Sequence, residues 1–453
     1  MNVAPSFPTR ALVLELNELC PPLLDKYMAE GILPNFKKLH GRSEVFVTTT
    51  TDDDLEPWVQ WVTFHTGEPQ KVHGVNQLDE GGKVSIPALW DKLAEAGRDT
   101  LVFGVMNAAP AASKHITLMP DPWSDQVKPS IPDYDAFHSF VRSKVADHAN
   151  PDAKSGLSQA LAFGRFVLSH GLSFATVRKA VGQILAEKTS KRDLKWGRAT
   201  VLDLLAFDVF AHEYKRLKPE VAFFFGNCVA FYQHRYWRHM DPDAYRVKPS
   251  AEEMASYGHA VRSGYVEMDR LIGKAMEMAG DDTAIIFVTA LSQQANLAYE
   301  DIGGKFVYRA RDFDRLLEWI GAPKGWSVQP VMTHEAWASY ESEADAIACA
   351  EAMEAVMADG KSVFSAKRDG TRVFFCCDFI QKVAEDLSMA RADGTAAPFA
   401  EFFALVGQVN NSKHHPDGCF WVARPAGSHK VHGETIPLES AAARALEAVG
   451  VPA

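Results

Sequence analysis

Four short apolar runs, separated by helical patterns, constrain the fold of this chain most strongly. Residues 11–16, 100–105, 221–226 and 284–289 are each almost continuously hydrophobic. A strand that is apolar on both sides has to be covered on both faces, as in a parallel sheet with helices above and below it. The pattern therefore predicts an α/β protein with a central mixed, mostly parallel sheet.

Two segments interrupt this alternation. Residues 133–218 show helical periodicity almost throughout, whereas 305–385 indicate a strand near 331–333, a helix near 343–358 and a hairpin at Asp369-Gly370. We therefore predict one domain over residues 1–453 with a helical insertion and a small α+β insertion. The helical insertion carries basic residues that indicate either a solvated helix face or a lid over an anionic substrate: Lys188, Lys191, Arg192, Lys195 and Arg198.

Composition narrows the class of protein. The formal net charge of −11 argues against nucleic-acid binding, which favours a basic face. The six cysteines are scattered without a CxxC pair, as expected of reduced thiols in a cytoplasmic protein. The first residues lack the apolar core of an export signal, and no run reaches the roughly 18 apolar residues of a membrane span. We expect a cytoplasmic protein without a membrane span, and its oligomeric state is left open.

The segment 57–74, PWVQWVTFHTGEPQKVHG, is the most informative local motif. Proline at its start and Gly67 after an apolar run predict a helix from Pro57 to residue 66. The acidic residues just before it, 52–54 and Glu56, indicate N-terminal capping or a catalytic carboxylate, and both interpretations stay open.

Further motifs follow in a fixed order along the chain. Residues 31–36 read GILPNF, residues 233–242 read QHRYWRHMDP, and residues 414–418 read HHPDG. Together with the 57–74 segment, these motifs and their order resemble those of the type I phosphodiesterases and nucleotide pyrophosphatases. These enzymes are a sulfatase-like branch of the alkaline-phosphatase superfamily. The resemblance implies a three-layer α/β/α fold and hydrolysis of phosphoric or sulfuric esters at a two-metal centre.

Most ligand positions implied by that resemblance hold other residues. His234 and His414 match two of the family's metal ligands. The remaining ligand positions are occupied by Asn17, by Asn227 or Ala230, and by Ala290 and Leu291. We therefore expect no two-zinc centre and at most one divalent ion, zinc or manganese, at His234 and His414. Glu18, beside Asn17, could add a carboxylate.

The family's nucleophile position falls at Pro57, or at Leu55 if the helix is longer, and neither side chain can attack phosphorus. We choose Glu56 as the catalytic carboxylate because it is nearest the helix start, with Asp54 and Thr51 close in sequence. The predicted catalytic residues are Glu56, His234 and His414, and the predicted substrate-binding residues are Asn17, Glu18 and Asn227.

Two functions of different class follow from these residues. The first is an ester hydrolase, or related transferase, with a remodelled, metal-poor site for a small anionic phosphorylated or sulfated substrate. The second is an inactive relative that binds or scaffolds a phosphorylated ligand. In both, Asn17, the start of the helix at Pro57, Ala290 and His414 should meet at one edge of the sheet, with the anion near the amide groups of the 57–66 helix.

Overall fold

The computed structural model describes residues 10–146, 156–331, 333–409 and 411–452, which form two compact units. One unit comprises the described residues of 1–142, 157–297 and 412–453, and the other those of 143–156 and 298–411. In chain order the strands are β1 (Arg10–Leu16), β2 (Glu44–Thr49), β3 (Thr100–Phe103), β4 (Ile116–Met119), β5 (Val221–Gly226), β6 (Thr283–Val288), β7 (Ser292–Ala295), β8 (Lys305–Ala310), β9 (Ser327–Val331), β10 (Glu335–Ser339), β11 (Met357–Ala358), β12 (Lys361–Ser362), β13 (Phe364–Asp369), β14 (Arg372–Cys377), β15 (Ser388–Ala390), β16 (Ala396–Pro398), β17 (Phe403–Val409), β18 (Ser412–His415), β19 (Gly418–Ala423) and β20 (Lys430–Pro437).

The helices alternate with these strands in the first part of the chain. They are α1 (Pro21–Ala29), α2 (Pro34–His40), α3 (Pro57–Thr66), α4 (Gln70–His73), α5 (Leu89–Glu95), α6 (Asp135–Ala146), α7 (Leu157–Ser169), α8 (Phe174–Thr189), α9 (Arg198–Leu217), α10 (Cys228–Met240), α11 (Ala251–Tyr257), α12 (Ala260–Ala279), α13 (Phe313–Ile320), α14 (Glu343–Glu354), α15 (Phe399–Phe402) and α16 (Leu438–Glu447). No helix in the described part of the chain combines the length and the apolar character that crossing a bilayer requires.

The larger unit is built on an eight-stranded sheet in the order β20-β2-β19-β6-β1-β5-β3-β4. Five adjacent strands run parallel to one another: β6, β1, β5, β3 and β4. At the other end of the sheet β2 is parallel to β20. The exception is β19, which runs antiparallel to both β2 and β6. The four apolar runs form β1, β3, β5 and β6, so the prediction of a mixed, mostly parallel sheet is confirmed.

Helices cover both faces of this sheet. Ala11 and Val13 point into a core that includes Trp61 of α3 and residues of α5 and α16. On the opposite face α12 packs on β1 and β6, and α9 packs on β5. There Phe36 of α2 meets Phe287 edge to face, with ring centroids 5.3 Å apart. Residues 11–16 of β1 are all buried, and successive side chains of a strand point to opposite faces of the sheet. Both faces of the sheet are therefore covered, as the predicted three-layer α/β/α arrangement requires.

Among the described residues of the predicted helical insertion, 133–218, the regular elements are helices, α6 to α9. Residues 147–155 of that segment lie outside the described residues. The division of the chain into one domain with two insertions stays a prediction.

The smaller unit has its own apolar core and several short sheets. One sheet has the order β13-β14-β10-β9, and β13 and β14 form the hairpin expected at Asp369-Gly370, with Gly370 at φ +57°. The predicted helix is α14, which ends at Glu354 instead of 358. The strand expected near 331–333 overlaps β9 only at Val331, where β9 ends. Met332 lies outside the described residues. The sequence patterns missed α13 and β8.

Candidate functional site

The candidate site lies at the carboxyl ends of the central strands of the larger unit. Glu18 follows β1 and adopts φ +62°, in the left-handed region that a non-glycine residue rarely occupies. Its carbonyl accepts a hydrogen bond of 2.8 Å from the Gln233 side chain, which holds this turn. The strained conformation directs a carboxylate into the space beyond the sheet edge, which is where open α/β sheets bind ligands.

Three elements bring a carboxylate and two imidazoles together there. His234 lies in α10, the helix that follows β5, and its Nε2 is 3.2 Å from Glu18 Oε2. His414 lies in β18, and its Nε2 is 3.7 Å from Glu18 Oε1. The two imidazole rings meet edge to face with centroids 5.0 Å apart. Residues more than two hundred positions apart therefore converge at one edge of the sheet.

The protonation states of this group follow from burial and mutual charge. Burial alone would raise the pKa of Glu18, but the charges of His234 and His414, and hydrogen bonds from His234 and Gln293, lower it to about 2. Burial opposes protonation of His234, yet the charge of Glu18 and their hydrogen bond raise its pKa above the ordinary value. Burial lowers the pKa of His414 to about 4; the charge of Glu18 opposes this shift, and the charge of His234 acts in the same direction. At neutral pH the group therefore contains the Glu18 carboxylate and a neutral His414 imidazole, and the carboxylate favours the protonated form of His234.

Asn17 and Asn227 orient the carboxylate. The Asn17 amide nitrogen donates to Glu18 Oε1 at 3.0 Å and to Asn227 Oδ1 at 2.9 Å, and its oxygen accepts from Trp61 Nε1 at 2.8 Å. Asn17 is therefore an orienting residue in this geometry, because both of its amide hydrogens are occupied. Substrate binding by Asn17 stays a prediction. Asn227 is half-buried, and its backbone N–H donates to Asp203 at 3.0 Å.

Two buried glutamines complete the surroundings of Glu18, and the motif analysis missed both. The Gln293 side chain donates to Glu18 Oε2 and accepts from Ser412, which ties β7 to β18. Gln233 also accepts from Tyr265 at 2.9 Å. A local signal existed for each, since Gln233 precedes His234 directly and Gln293 follows the strand-end positions 290–292. A glutamine alone, however, does not distinguish a site from a satisfied core amide.

The start of α3 contributes Glu56. Its carboxylate Oε2 is 3.8 Å from His414 Nδ1, and its side chain is 40% exposed. The expected anion cradle of backbone amides is incomplete, because Pro57 has no N–H and the amides of Val59 and Gln60 donate to the Glu56 carbonyl. An anion held near this helix start by backbone amides together with His234 and His414 or one metal ion stays a prediction. The first turn of α3 presents a carboxylate beside the two histidines.

Two other acidic residues before α3, Asp52 and Asp54, brace the segment that leads into the helix. Asp54 Oδ1 accepts from the Glu56 amide at 3.2 Å, and Asp52 Oδ2 accepts from the Gln60 side chain at 3.2 Å. Asp52 also accepts from the Gln70 amide at 3.3 Å, which joins α3 to α4. These contacts make both aspartates bracing residues, since no side chain caps the start of α3, and leave Glu56 as the one directed at the histidines.

The remaining ligand positions implied by the motif resemblance are apolar and buried. Ala230, Ala290 and Leu291 expose 3% of their surface or less. Ala290 adopts φ +53°, and Gly418 packs so closely on it that a Cβ there would lie 2.9 Å from the Ala290 carbonyl oxygen. The glycine of the HHPDG motif therefore serves this close approach, and the three apolar positions offer no side-chain ligand to a second ion.

Glu18, His234 and His414 fit one metal ion. Within the described residues they form a group whose ligand atoms all lie within 4.8 Å of one another. Two ligands of a tetrahedral zinc ion lie about 3.4 Å apart, which is close to the observed separations. His414 Nε2 is buried without a hydrogen-bond partner among the described residues, as a coordinating nitrogen would be before an ion binds. Two imidazoles and one carboxylate are also the ligand set of known catalytic zinc sites.

Comparison with known proteins gives a likeness of structure without a sequence match. No family model and no curated protein matches the chain. Phosphonoacetate hydrolase from Sinorhizobium meliloti 1021, solved with phosphonoformate, is 14% identical at a TM-score of 0.47, over 99% of this chain and 97% of that one. Murine ectonucleotide pyrophosphatase/phosphodiesterase 5 is 11% identical, with a TM-score of 0.43, and the human protein is 9% identical, with a TM-score of 0.42. Each comparison covers 98% of this chain and 96% of the other. At these values the likeness carries no argument about function, which has to rest on the residues of the site.

Proposed function

We propose that this protein is a hydrolase of small phosphate or sulfate esters whose site holds a single divalent cation between Glu18, His234 and His414. The observation that carries the proposal is the convergence of these three side chains at the carboxyl ends of the central strands, with Glu56 at their rim. This position is the usual ligand site of open α/β sheets. The order of motifs along the chain favours the same class of substrate.

The charge of the site supports a cation. Glu18 and Glu56 face the two histidines, and Asp52 and Asp54 lie just before the same helix. An anionic substrate would be repelled by these carboxylates, so a cation that neutralises them has to precede it. A divalent ion in this place would supply a Lewis acid toward a phosphoryl or sulfuryl oxygen. Zinc suits two imidazoles and a carboxylate, and manganese is the alternative.

The attacking group in this proposal is water, since the first turn of α3, residues 57–60, contains no serine, threonine or cysteine. A water oxygen forms the new bond to phosphorus or sulfur while the bond to the ester oxygen breaks. The proton of the water passes to Glu56, and the departing alkoxide takes a proton from solvent. The exposure of Glu56 leaves room for the water, and its position next to His414 places it beside the proposed cation.

A second candidate function has its own supporting observation. Ala290 and Leu291 are completely buried, and Pro57 occupies the start of α3, so neither a second ion nor a side-chain nucleophile has a place here. A protein that binds a phosphorylated ligand without turnover would retain the cation group and lack hydrolysis. Binding and turnover therefore have to be measured separately.

The test begins with protein stripped by a chelator and reloaded with zinc or manganese. Hydrolysis of p-nitrophenyl phosphate, bis-p-nitrophenyl phosphate and p-nitrophenyl sulfate is measured beside calorimetry with inorganic phosphate. We expect one bound ion per chain and loss of both the ion and activity in His414→Ala. Glu56→Gln should keep the ion and lose turnover by about a hundredfold or more.

The matched control is His115→Ala, which removes a histidine that pairs with Asp99 at the surface, 2.8 Å away. This variant should keep ion and activity. Phosphate binding that depends on the ion, without hydrolysis of any ester, would favour the binding module. Two tightly held ions, or an ion retained in His414→Ala, would contradict the proposed site.

A further inference from the structure

Two consecutive helices of the larger unit expose an unusual amount of apolar surface. On α7, Leu157 and Leu168 are 76% and 73% exposed, and Leu161 is also exposed. On α8, Phe174 is 81% exposed, and four aliphatic residues accompany it: Val177, Val181, Ile184 and Leu185. These side chains, which we call the apolar helix face, make up half of the exposed large hydrophobic side chains found among the described residues. Such a concentration marks an interaction surface.

The exposed residues follow helical periodicity. Leu157, Leu161 and Leu168 are spaced i, i+4 and i+11, which places them on one side of α7. On α8 the spacing from Phe174 is i+3, i+7, i+10 and i+11, which again describes one stripe. Each helix therefore has an ordered apolar stripe turned to solvent, where a globular protein would normally place polar residues.

The same helices and the segment after them are strongly basic. Residues 157–198 contain eight lysines and arginines but two acidic residues, a net charge of +6 in a chain of −11. Lys179 pairs with Glu267 at 2.7 Å, and Arg198 pairs with Glu187. Within the described residues, no ion pair is formed by the other six basic side chains of α7, α8 and the following turn: Arg165, Arg178, Lys188, Lys191, Arg192 and Lys195. Their positive charge is therefore available to a partner.

We propose that the apolar helix face and the basic segment 188–195 form a docking surface for an anionic lipid bilayer. Helices with a leucine- and phenylalanine-rich face and neighbouring lysines and arginines lie in the interface of such bilayers. A second copy of the chain fits less well, because pairing this surface with itself would bring two charges of +6 together. The attachment is peripheral and independent of the ester hydrolase proposed above.

The experiment measures sedimentation of the full-length protein with vesicles of phosphatidylcholine alone or with 30% phosphatidylserine. Binding is expected with the anionic vesicles and should weaken as salt is raised, because basic residues are screened. Removing four positive charges in K188Q/K191Q/R192Q/K195Q should lower the partition coefficient several-hundredfold, since each of the four basic residues contributes about fivefold near the surface. L168Q/F174Q/I184Q should lower it more than about tenfold.

Matched controls carry the same changes elsewhere on the surface. K37Q/K38Q/K114Q/K367Q removes the same charge from exposed positions, and V247Q/I347Q/V431Q replaces exposed aliphatic residues; both should bind like the parent. Circular dichroism and thermal unfolding establish that every variant is folded. The proposal is overturned by absence of binding, by equal binding to neutral vesicles, or by equal losses in variants and controls. A dimer seen by light scattering that dissociates in L168Q/F174Q/I184Q would overturn it in favour of self-association.

Discussion

Replacing Glu18 by glutamine should remove up to about 3 kcal/mol of electrostatic stabilisation from the metal-free protein at pH 7. The pKa of this buried carboxyl falls from its usual 4.5 to about 2 in the folded state. That difference corresponds to about 3 kcal/mol of favourable interaction with the ionised form. Since the folded pKa is the lower one, the stabilisation is complete above pH 4.5 and is lost as the pH falls toward 2. At pH 7 the parent therefore has the part of this stabilisation that does not require a charge on His414, and E18Q has none of it.

Hydrogen bonding adds to this loss. Glu18 accepts from the amide groups of both Asn17 and Gln293. A glutamine places its own NH₂ group against one of these donors, and an unsatisfied buried donor costs about 1–3 kcal/mol more.

Urea unfolding followed by tryptophan fluorescence, with a chelator present, measures the change. The matched control is E56Q, which removes the other carboxylate next to His414 but at a position 40% exposed and 3.8 Å away. An exposed pair of this kind contributes at most about 1 kcal/mol. A loss below 1 kcal/mol in E18Q, or equal losses in both variants, would refute the electrostatic description of the site.

Three further predictions concern the surroundings of the site and the fold. Q293L removes the donor that orients Glu18 and should weaken zinc binding about 10- to 100-fold by calorimetry, whereas unchanged affinity would exclude an orienting role. Burial raises the pKa of Asp121 from 3.8 to about 6 despite its hydrogen bonds, so the contribution of this group to stability should be greatest below pH 4 and fall by about 3 kcal/mol as the pH rises through 6. D121N should flatten this part of the profile in urea unfolding, and an unchanged slope would assign it to other groups. G67A should cost more than G74A, because both glycines have φ near +70° but only at Gly67 would a Cβ meet Ala442, 3.2 Å away; we expect about 1 kcal/mol for G74A and a larger loss of thermal stability for G67A.

The regular architecture of the larger unit was accessible from local patterns. All residues of the run 11–16 except Glu15 are apolar, so both faces of this strand have to be buried between two layers. Pro57 and Gly67 bound α3 because proline suits the first turn of a helix and glycine the left-handed residue after it. These signals are local, so they can be interpreted without knowledge of the rest of the chain. The short strands of the smaller unit lack such signals, and most of them went unrecognised.

The site was accessible in part. His234 and His414 were recognisable from their motifs, and Glu18 from its place after the first strand. The roles of Gln233 and Gln293 were not, because a buried amide is informative only through the group that it touches. The hydrogen bonds of the Val59 and Gln60 amides to the Glu56 carbonyl were not accessible for a similar reason, since they depend on the backbone geometry at the start of α3.

The sequence by itself determined the layers of the fold and the bounds of α3, because each of these depends on residue type and near neighbours. The tertiary structure decided which of the remaining polar residues act together. It placed Glu18, His234 and His414 within reach of one another across more than two hundred residues of chain, with distances and burial that set their charges. It also left the stripes of α7 and α8 exposed, although the same periodicity would suit a buried helix. Charge state and exposure depend on the neighbours that folding supplies, and those neighbours are distant in sequence.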